Sequence, residues 1–348
     1  MIKILAFPKE RFSENPHILN FYRKIEEAGG YQIWDLDEFS WFKTKYDIFH
    51  LHWPEFFVVK NFYKCFFRVI FFILLITFLK ICGTKMIWTV HNLYPHEHDH
   101  VRPKLYKFLL RFMAATFSHL VFLSETSRKQ FLMEFPFFYK MGSAVIPHAL
   151  YNNYSITENH TVGNLVRKYS IVKKEKIVLF FGKIEKYKNV EKLITEFIAT
   201  PHDNLLLIAG SSDDPLYVDF LFTLSERDTR VKIINEFIDK DDIAALFSLS
   251  DLVCLPFKKI LNSGSVMLSL SLSRPVLVPN KGSMAEIQRY VGSSSLVLYE
   301  KLTNQVILDA LKNTKPPANE NLEKFRLVNI ANSYKSVFEL VKSDIRSA

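Results

Sequence analysis

Hydrophobic and polar positions alternate between two periods along this chain. Short runs with strand character are followed by segments whose apolar positions recur at helical spacing. Ile2 to Phe7, Tyr31 to Trp34, Asp47 to His52, Lys85 to His91, His119 to Ser124 and Ala144 to Pro147 read as strands. Between them, Asn15-Pro16 starts a helix that Gly29-Gly30 stops, and Lys104 to Ala115 and Thr126 to Phe135 read as further helices. A polar stretch from Tyr151 to Val162, rich in Asn, Thr and Ser, reads as a linker. The alternation then restarts. Lys176 to Phe181, Leu205 to Ala209, Val231 to Asn235 and Leu252 to Leu255 are strand-like. Val190 to Thr200, Pro215 to Arg227 and Asp241 to Ser248 are helical, and a last helix covers about Leu322 to Lys342. Such alternation predicts an α/β protein with two parallel sheets wrapped by helices and a ligand cleft at the strand carboxyl ends. The expected domains are 1–155, 165–325 and a C-terminal helix, 326–348, packing back on the first domain.

One segment departs from this pattern. Cys65 to Cys82 reads CFFRVIFFILLITFLKIC, with an uninterrupted apolar core of eleven residues from Val69 to Leu79. As a helix that core spans about 16 Å, roughly half of a ~30 Å hydrocarbon layer. A transmembrane span is not expected from it. Lys60, Lys64, Arg68, Lys80 and Lys85 flank it, and Arg102 to His119 again mixes Lys104, Lys107 and Arg111 with apolar residues. Together they predict a face lying on an anionic membrane surface, or one covered by a protein partner.

Composition sharpens the choice of partner. The 348 residues suit two domains, and 49% hydrophobic content can fill two cores. The net charge of +9 asks for an anionic partner. Without a basic tail or Arg-rich run, nucleic acid is not expected. Cys65, Cys82 and Cys254 form no metal or disulfide framework and fit a reducing cytosol. MIKILAF reads as a strand and not as a signal peptide.

Two segments of the second half could hold phosphate. Gly182 to Val190, GKIEKYKNV, places Lys183 and Lys188 in a loop between a strand and a helix. Lys258 to Glu286 contains a Ser263-Gly264-Ser265 turn opening an apolar helix, then Val276 to Val278 as a strand, then a loop to Glu286. Free N–H groups and the dipole at a helix start make a seat for phosphate. The plainer reading of the turn is an N-cap, and of the lysines an exposed charged loop.

The order GKIEKYKNV, LLIAGS, SDLVCLPF, SGSVMLSLSLSRPVLVP and Glu286 resembles the donor-binding domain of GT-B glycosyltransferases of the family 4-like clan. HLHWPE, WTVHN, YPHE and VIPHALYNNY in the first half are similar to xanthan-type GDP-mannose-dependent β-mannosyltransferases of bacterial exopolysaccharide assembly. The resemblance implies a GT-B fold of two Rossmann-like domains facing a cleft. It implies that Lys188 binds the donor diphosphate, with Lys183 in place of the usual arginine. Ser263, Gly264 and Ser265 would contact diphosphate or sugar, and Glu286 the ribose or sugar hydroxyls. Phe237 and Ile238 would meet the nucleobase, and His91 the donor sugar. The retaining clan brackets this turn and helix with two glutamates, but no acid lies between Asp251 and Glu286 here. An inverting reaction is therefore expected, with Glu55 or Glu97 as the general base.

The expected activity is transfer of a hexose, mannose from GDP-mannose, to a polyprenyl-diphosphate-linked oligosaccharide. It would take place peripherally at the cytoplasmic face of the plasma membrane. A nucleotide-sugar epimerase and a non-catalytic sugar-nucleotide-binding protein are the alternatives. Neither a metal nor another cofactor is expected. His96, His98 and His100 crowd one loop without a convincing fourth ligand, and Asp35-Leu-Asp37 reads as structural. His50 and His52 are expected on opposite faces of their strand, with at most one toward the ligand.

Overall fold

The computed structural model describes residues 1–9, 16–39, 45–94, 102–156, 161–171, 175–201 and 203–343. Two units follow from which segments pack together: Met1–Ala149 with Phe325–Ala348, and Leu150–Lys324. Glu97, His96, His98 and His100 lie outside the described residues.

The first unit runs β1 (Ile2–Phe7), α1 (Pro16–Glu27), β2 (Tyr31–Asp35), β3 (Ile48–Leu51), α2 (Phe62–Ile81), β4 (Lys85–Val90), α3 (Pro103–Thr116), β5 (His119–Phe122), α4 (Glu125–Glu134) and β6 (Gly142–Val145). Its strands form one parallel sheet in the order β2-β1-β3-β4-β5-β6. β1 and β3 are buried along almost their whole length because helices cover both sheet faces.

The second unit runs α5 (Val162–Lys168), β7 (Lys176–Phe181), α6 (Val190–Ile198), β8 (Asn204–Ala209), α7 (Pro215–Ser225), β9 (Val231–Ile234), α8 (Lys240–Leu249) and β10 (Leu252–Cys254). It continues through α9 (Gly264–Ser271), β11 (Val276–Pro279), α10 (Met284–Val291), β12 (Leu296–Tyr299) and α11 (Asn304–Asn313). Its parallel sheet has the order β12-β11-β10-β7-β8-β9. The chain ends in α12 (Leu327–Ser343). This helix packs on α1 within the first unit, burying Ile330, Tyr334 and Phe338 beside Phe21, Tyr22 and Ile25. The two parallel sheets with flanking helices are the architecture the alternation predicts.

The apolar helix differs from its sequence reading. α2 is 20 residues long, not eleven, and so extends about 30 Å. Its length and mean hydropathy of 2.1 are enough to cross a membrane. One stripe of it, Cys65, Val69, Phe72, Leu75, Ile76 and Leu79, is buried against the sheet beside Phe49, Met86 and Trp88. The spacing of i, i+4, i+7, i+10, i+11 and i+14 is the stripe a helix lays on a core. The opposite face stays exposed, with Tyr63 at 72%, Phe67 at 68% and Leu74 at 58%.

Candidate active site

In the second unit the chain steps from β7 out to β8 and β9, then returns to lay β10 on the other side of β7. The crevice between the carboxyl ends of β7 and β10 is therefore the switch point, where ligands bind in open α/β sheets. Two candidate loops meet there. The Lys258 N–H donates to the Tyr187 carbonyl at 2.8 Å, tying the loop after β10 to the loop after β7. The Ser283 N–H donates to the Leu261 carbonyl at 2.9 Å, tying in the loop after β11. Glu286 follows in the first turn of α10, half-buried.

Gly182 is the center of this arrangement. Its φ of +119° suits a residue without Cβ. A Cβ placed there would lie 3.3 Å from Lys188 Nζ and 3.5 Å from Ser265 Oγ. The missing side chain thus leaves a small space lined by an ammonium, a hydroxyl and the start of α9. Ser263 is the N-cap of α9, its side chain accepting from the Val266 N–H at 3.2 Å. Capping and a phosphate seat are compatible, because one capped N–H leaves others at the helix start.

Lys188 is only 8% exposed. Its Nζ lies near the rings of Tyr187 and Phe257, at 5.9 and 6.0 Å from their centroids. Burial is the main cause that lowers its pKa to about 8, with Glu185 pulling upward and Lys183 downward. Among the described residues Lys188 has no ion pair. A buried cation without a direct ion pair is costly to keep, and a bound anion would relieve that cost. Lys183 is different: it is half exposed and paired with Asp213 at 2.5 Å and Glu185 at 3.8 Å. The Asp213 hydrogen bond, first, raises its pKa.

The other donor-side residues stand farther out. Phe237 and Ile238 follow edge strand β9, two strands from β7. Ile238 is buried and Phe237 is 69% exposed. Gly264 is the first residue of α9. Gly182 is the residue that reading for charged and hydroxyl groups passes over. A glycine directly after a strand is the signal for it.

In the first unit the switch point lies between β1 and β3. Glu55 sits just past β3 in a 3-10 turn, Pro54–Phe57, and is half-buried. That turn is held from α2 by Arg68, whose Nη1 donates to the Phe56 carbonyl at 3.1 Å. His91 directly follows β4, with Trp53 stacked on its ring at 4.7 Å. Asp35 caps the 3-10 turn Leu36–Glu38 and accepts from the Lys9 N–H at 2.6 Å, a structural role for the first acid of the Asp-Leu-Asp motif.

The histidine expectation needs correction. His50 and His52 share a face, because residues two apart on a strand point the same way. Both reach the Tyr22 hydroxyl at 2.8 Å, from His50 Nδ1 and His52 Nε2. His52 Nδ1 then meets His91 Nε2 at 2.9 Å. On the other side, His50 Nε2 meets Thr89 Oγ1 at 2.8 Å, and Thr89 Oγ1 meets the Tyr334 hydroxyl at 3.1 Å. Burial drives His50 down to about 3, with His91 adding to the effect. Burial and then neighboring histidines hold His52 and His91 well below 6.5. His148, near His91, is pushed by burial to about 4. These imidazoles are neutral at pH 7. Among the described residues no group of three His, Cys, Asp or Glu side chains is arranged to hold a metal ion.

Comparison with known proteins places this geometry. Residues 163–290 match the family model described as glycosyl transferases group 1. The chain is 27% identical over 311 residues to the GDP-mannose:glycolipid 4-β-D-mannosyltransferase of Xanthomonas campestris pv. campestris, covering 88% of this chain and 82% of that protein. Among solved structures, Anabaena HepE in complex with UDP and glucose superposes with a TM-score of 0.67 at 14% identity, over 97% of this chain and 100% of that one. Sucrose-phosphate synthase from Thermosynechococcus elongatus gives 0.68 at 12% identity, over 99% and 100%. The shared architecture is the GT-B fold. With a glycosyl transferases group 1 domain at residues 163–290 on that fold, and likeness to a mannosyltransferase over most of its length, this chain is a glycosyltransferase.

Proposed function

We propose that the protein transfers mannose from GDP-mannose to a lipid-linked oligosaccharide, with inversion at the anomeric carbon. One observation carries this reading: the 27% identity to a GDP-mannose:glycolipid 4-β-D-mannosyltransferase runs through 88% of the chain and so includes both units. The donor diphosphate occupies the space at Gly182, between Lys188 and the start of α9. Lys183, held by Asp213 and Glu185, adds outer positive charge. Glu286 takes hydroxyls of the ribose or sugar, and Phe237 with Ile238 lies toward the base.

The chemistry follows from the charges. Glu55 removes the proton of the acceptor hydroxyl as its oxygen attacks the anomeric carbon from the face opposite the nucleotide. The bond to the phosphate oxygen breaks, and its electron pair leaves on GDP. Lys188 and the α9 N–H groups meet that growing negative charge without reorganizing. Glu97 is the other carboxylate offered by the sequence for the same role. No step needs a metal.

The first unit suits an acceptor with a lipid tail. The exposed face of α2 carries Phe62, Tyr63, Phe66, Phe67 and Leu74. α3 packs beside α2, with Arg102 lying over the Phe62 ring at 5.2 Å. Lys104, Lys107, Phe108 and Arg111 of α3 are exposed. Apolar side chains with cations beside them fit an anionic leaflet, and we place this face on the cytoplasmic side of the plasma membrane.

The test supplies radiolabeled GDP-mannose and a polyprenyl-diphosphate oligosaccharide in anionic vesicles. Label moving into the lipid phase as a β-linked mannose supports the reading. Release of a free epimerized donor, or donor binding with no transfer to any lipid acceptor, overturns it.

A further inference from the structure

Five contacts in the first unit form one unbranched line: Tyr334 to Thr89, Thr89 to His50, His50 to Tyr22, Tyr22 to His52, and His52 to His91. The Tyr334, Thr89, His50, Tyr22 and His52 side chains are all buried. None of those five side chains has a further hydrogen-bond partner among the described residues. Counting protons along the line therefore gives its direction.

A hydroxyl has one proton, and a neutral imidazole has one N–H and one bare nitrogen. The Tyr334 hydroxyl has only Thr89 to donate to. The Thr89 proton must then go to His50 Nε2, which leaves the His50 proton on Nδ1, pointing at Tyr22. Tyr22 accepts from His50 and gives its own proton to His52 Nε2. The His52 proton is left on Nδ1 and goes to His91 Nε2. Each contact then holds one proton. Run the other way, the line leaves the buried Tyr334 proton with no acceptor, a state that folded proteins avoid.

We infer that this one-way chain of hydrogen bonds holds His91 in the tautomer with its proton on Nδ1, so that His91 serves transfer as a hydrogen-bond donor and not as a base. Tyr22 is thus a positioning residue. The inference rests on the reading of His91 as a residue used in transfer. The low titration range of the buried histidines agrees with the neutral rings that the count assumes. It also gives α12 a task. This helix carries the terminal proton donor to a line whose far end lies past β4, with 245 positions separating Thr89 from Tyr334.

The direction is measurable without activity. Nitrogen-15 NMR of the histidine-labeled full chain should show His91 with a protonated Nδ1 and a bare Nε2. A His91 proton on Nε2 overturns the proposal. Tyr334→Phe leaves Thr89 as the terminal donor and should not move the proton, whereas Tyr22→Phe cuts the line between His50 and His52, so the Nε2–H form of His91 should gain population. An unchanged tautomer in Tyr22→Phe also overturns it.

Turnover gives the second readout. Tyr22→Phe should lower kcat for mannosyl transfer by about tenfold, with KM for the donor within about twofold. Combined with His91→Ala it should add no further loss, because it acts through His91. Additive losses would show a merely structural role and overturn the inference. Wild-type turnover in His91→Ala would overturn the reading of His91 as a residue used in transfer. The NMR result would still decide the direction of the chain.

Discussion

Lys188 and Ser265 come from loops 77 positions apart, yet their ammonium and hydroxyl converge on the same missing Cβ at Gly182, at 3.3 and 3.5 Å. Lys188 follows β7 and Ser265 follows β10, and these strands are neighbors only because the chain reverses its winding between them. The convergence gives a small space with a buried positive charge that makes no ion pair among the described residues, Glu185 acting on it only as a nearby charge.

Filling that space should block the donor. Gly182→Ala puts a methyl between Lys188 and Ser265 and forces a side chain onto a φ of +119°. GDP affinity by calorimetry should fall at least about tenfold, from strain and lost room together. Unchanged affinity would remove the diphosphate from this position.

Removing the buried charge should separate stability from function. Lys188→Met is expected to abolish transfer. With the pKa lowered by burial, the native state is penalized for holding the charge below about pH 8. The variant should therefore be more stable at pH 7 by about 1–3 kcal/mol in denaturant unfolding. The gain should vanish above the unfolded lysine pKa, where neither state is charged. A destabilized Lys188→Met with normal turnover would contradict both halves.

The same group sets a pH dependence for binding. As the pH rises through about 8, unliganded Lys188 loses its proton, and affinity for GDP should decline with it. Lys188→Arg, which keeps its charge, should flatten that decline. A wild-type affinity constant across this range would assign the diphosphate to other groups.

The base can be tested without disturbing the donor site. Glu55→Gln keeps the size of the side chain in the turn that Arg68 holds. Transfer should drop by about two to four orders of magnitude while GDP binding stays normal. Full activity would move the role to Glu97.

The two faces of α2 should respond oppositely to charge. Phe67→Glu on the exposed face should weaken binding to anionic vesicles and leave the melting temperature nearly unchanged. Leu75→Glu, on the fully buried stripe, should destabilize the first unit by several kcal/mol. Vesicle binding that survives Phe67→Glu combined with Tyr63→Glu would point to a protein partner on this face.

Much of this was legible from residue order. Strand and helix periods place β7 at Lys176–Phe181 in sequence and structure alike. The two candidate phosphate loops could be named from their lysines, serines and glycines. Reading by uninterrupted apolar residues shortened α2, because Arg68 breaks the run without breaking the helix. Its arginine turns to the Phe56 carbonyl and ring, so a charge fits within an apolar helix.

The sequence by itself determined the local periods, and with them two alternating α/β halves and the residue types at their strand ends. Those depend on neighbors within a few positions. The tertiary structure decided which strand ends lie side by side, that Lys188 and Ser265 converge on Gly182, and that Tyr334 ends a hydrogen-bond line leading to His91. Hydrogen bonds between residues far apart in the chain leave no periodic trace in it. They are fixed by sheet order and by burial.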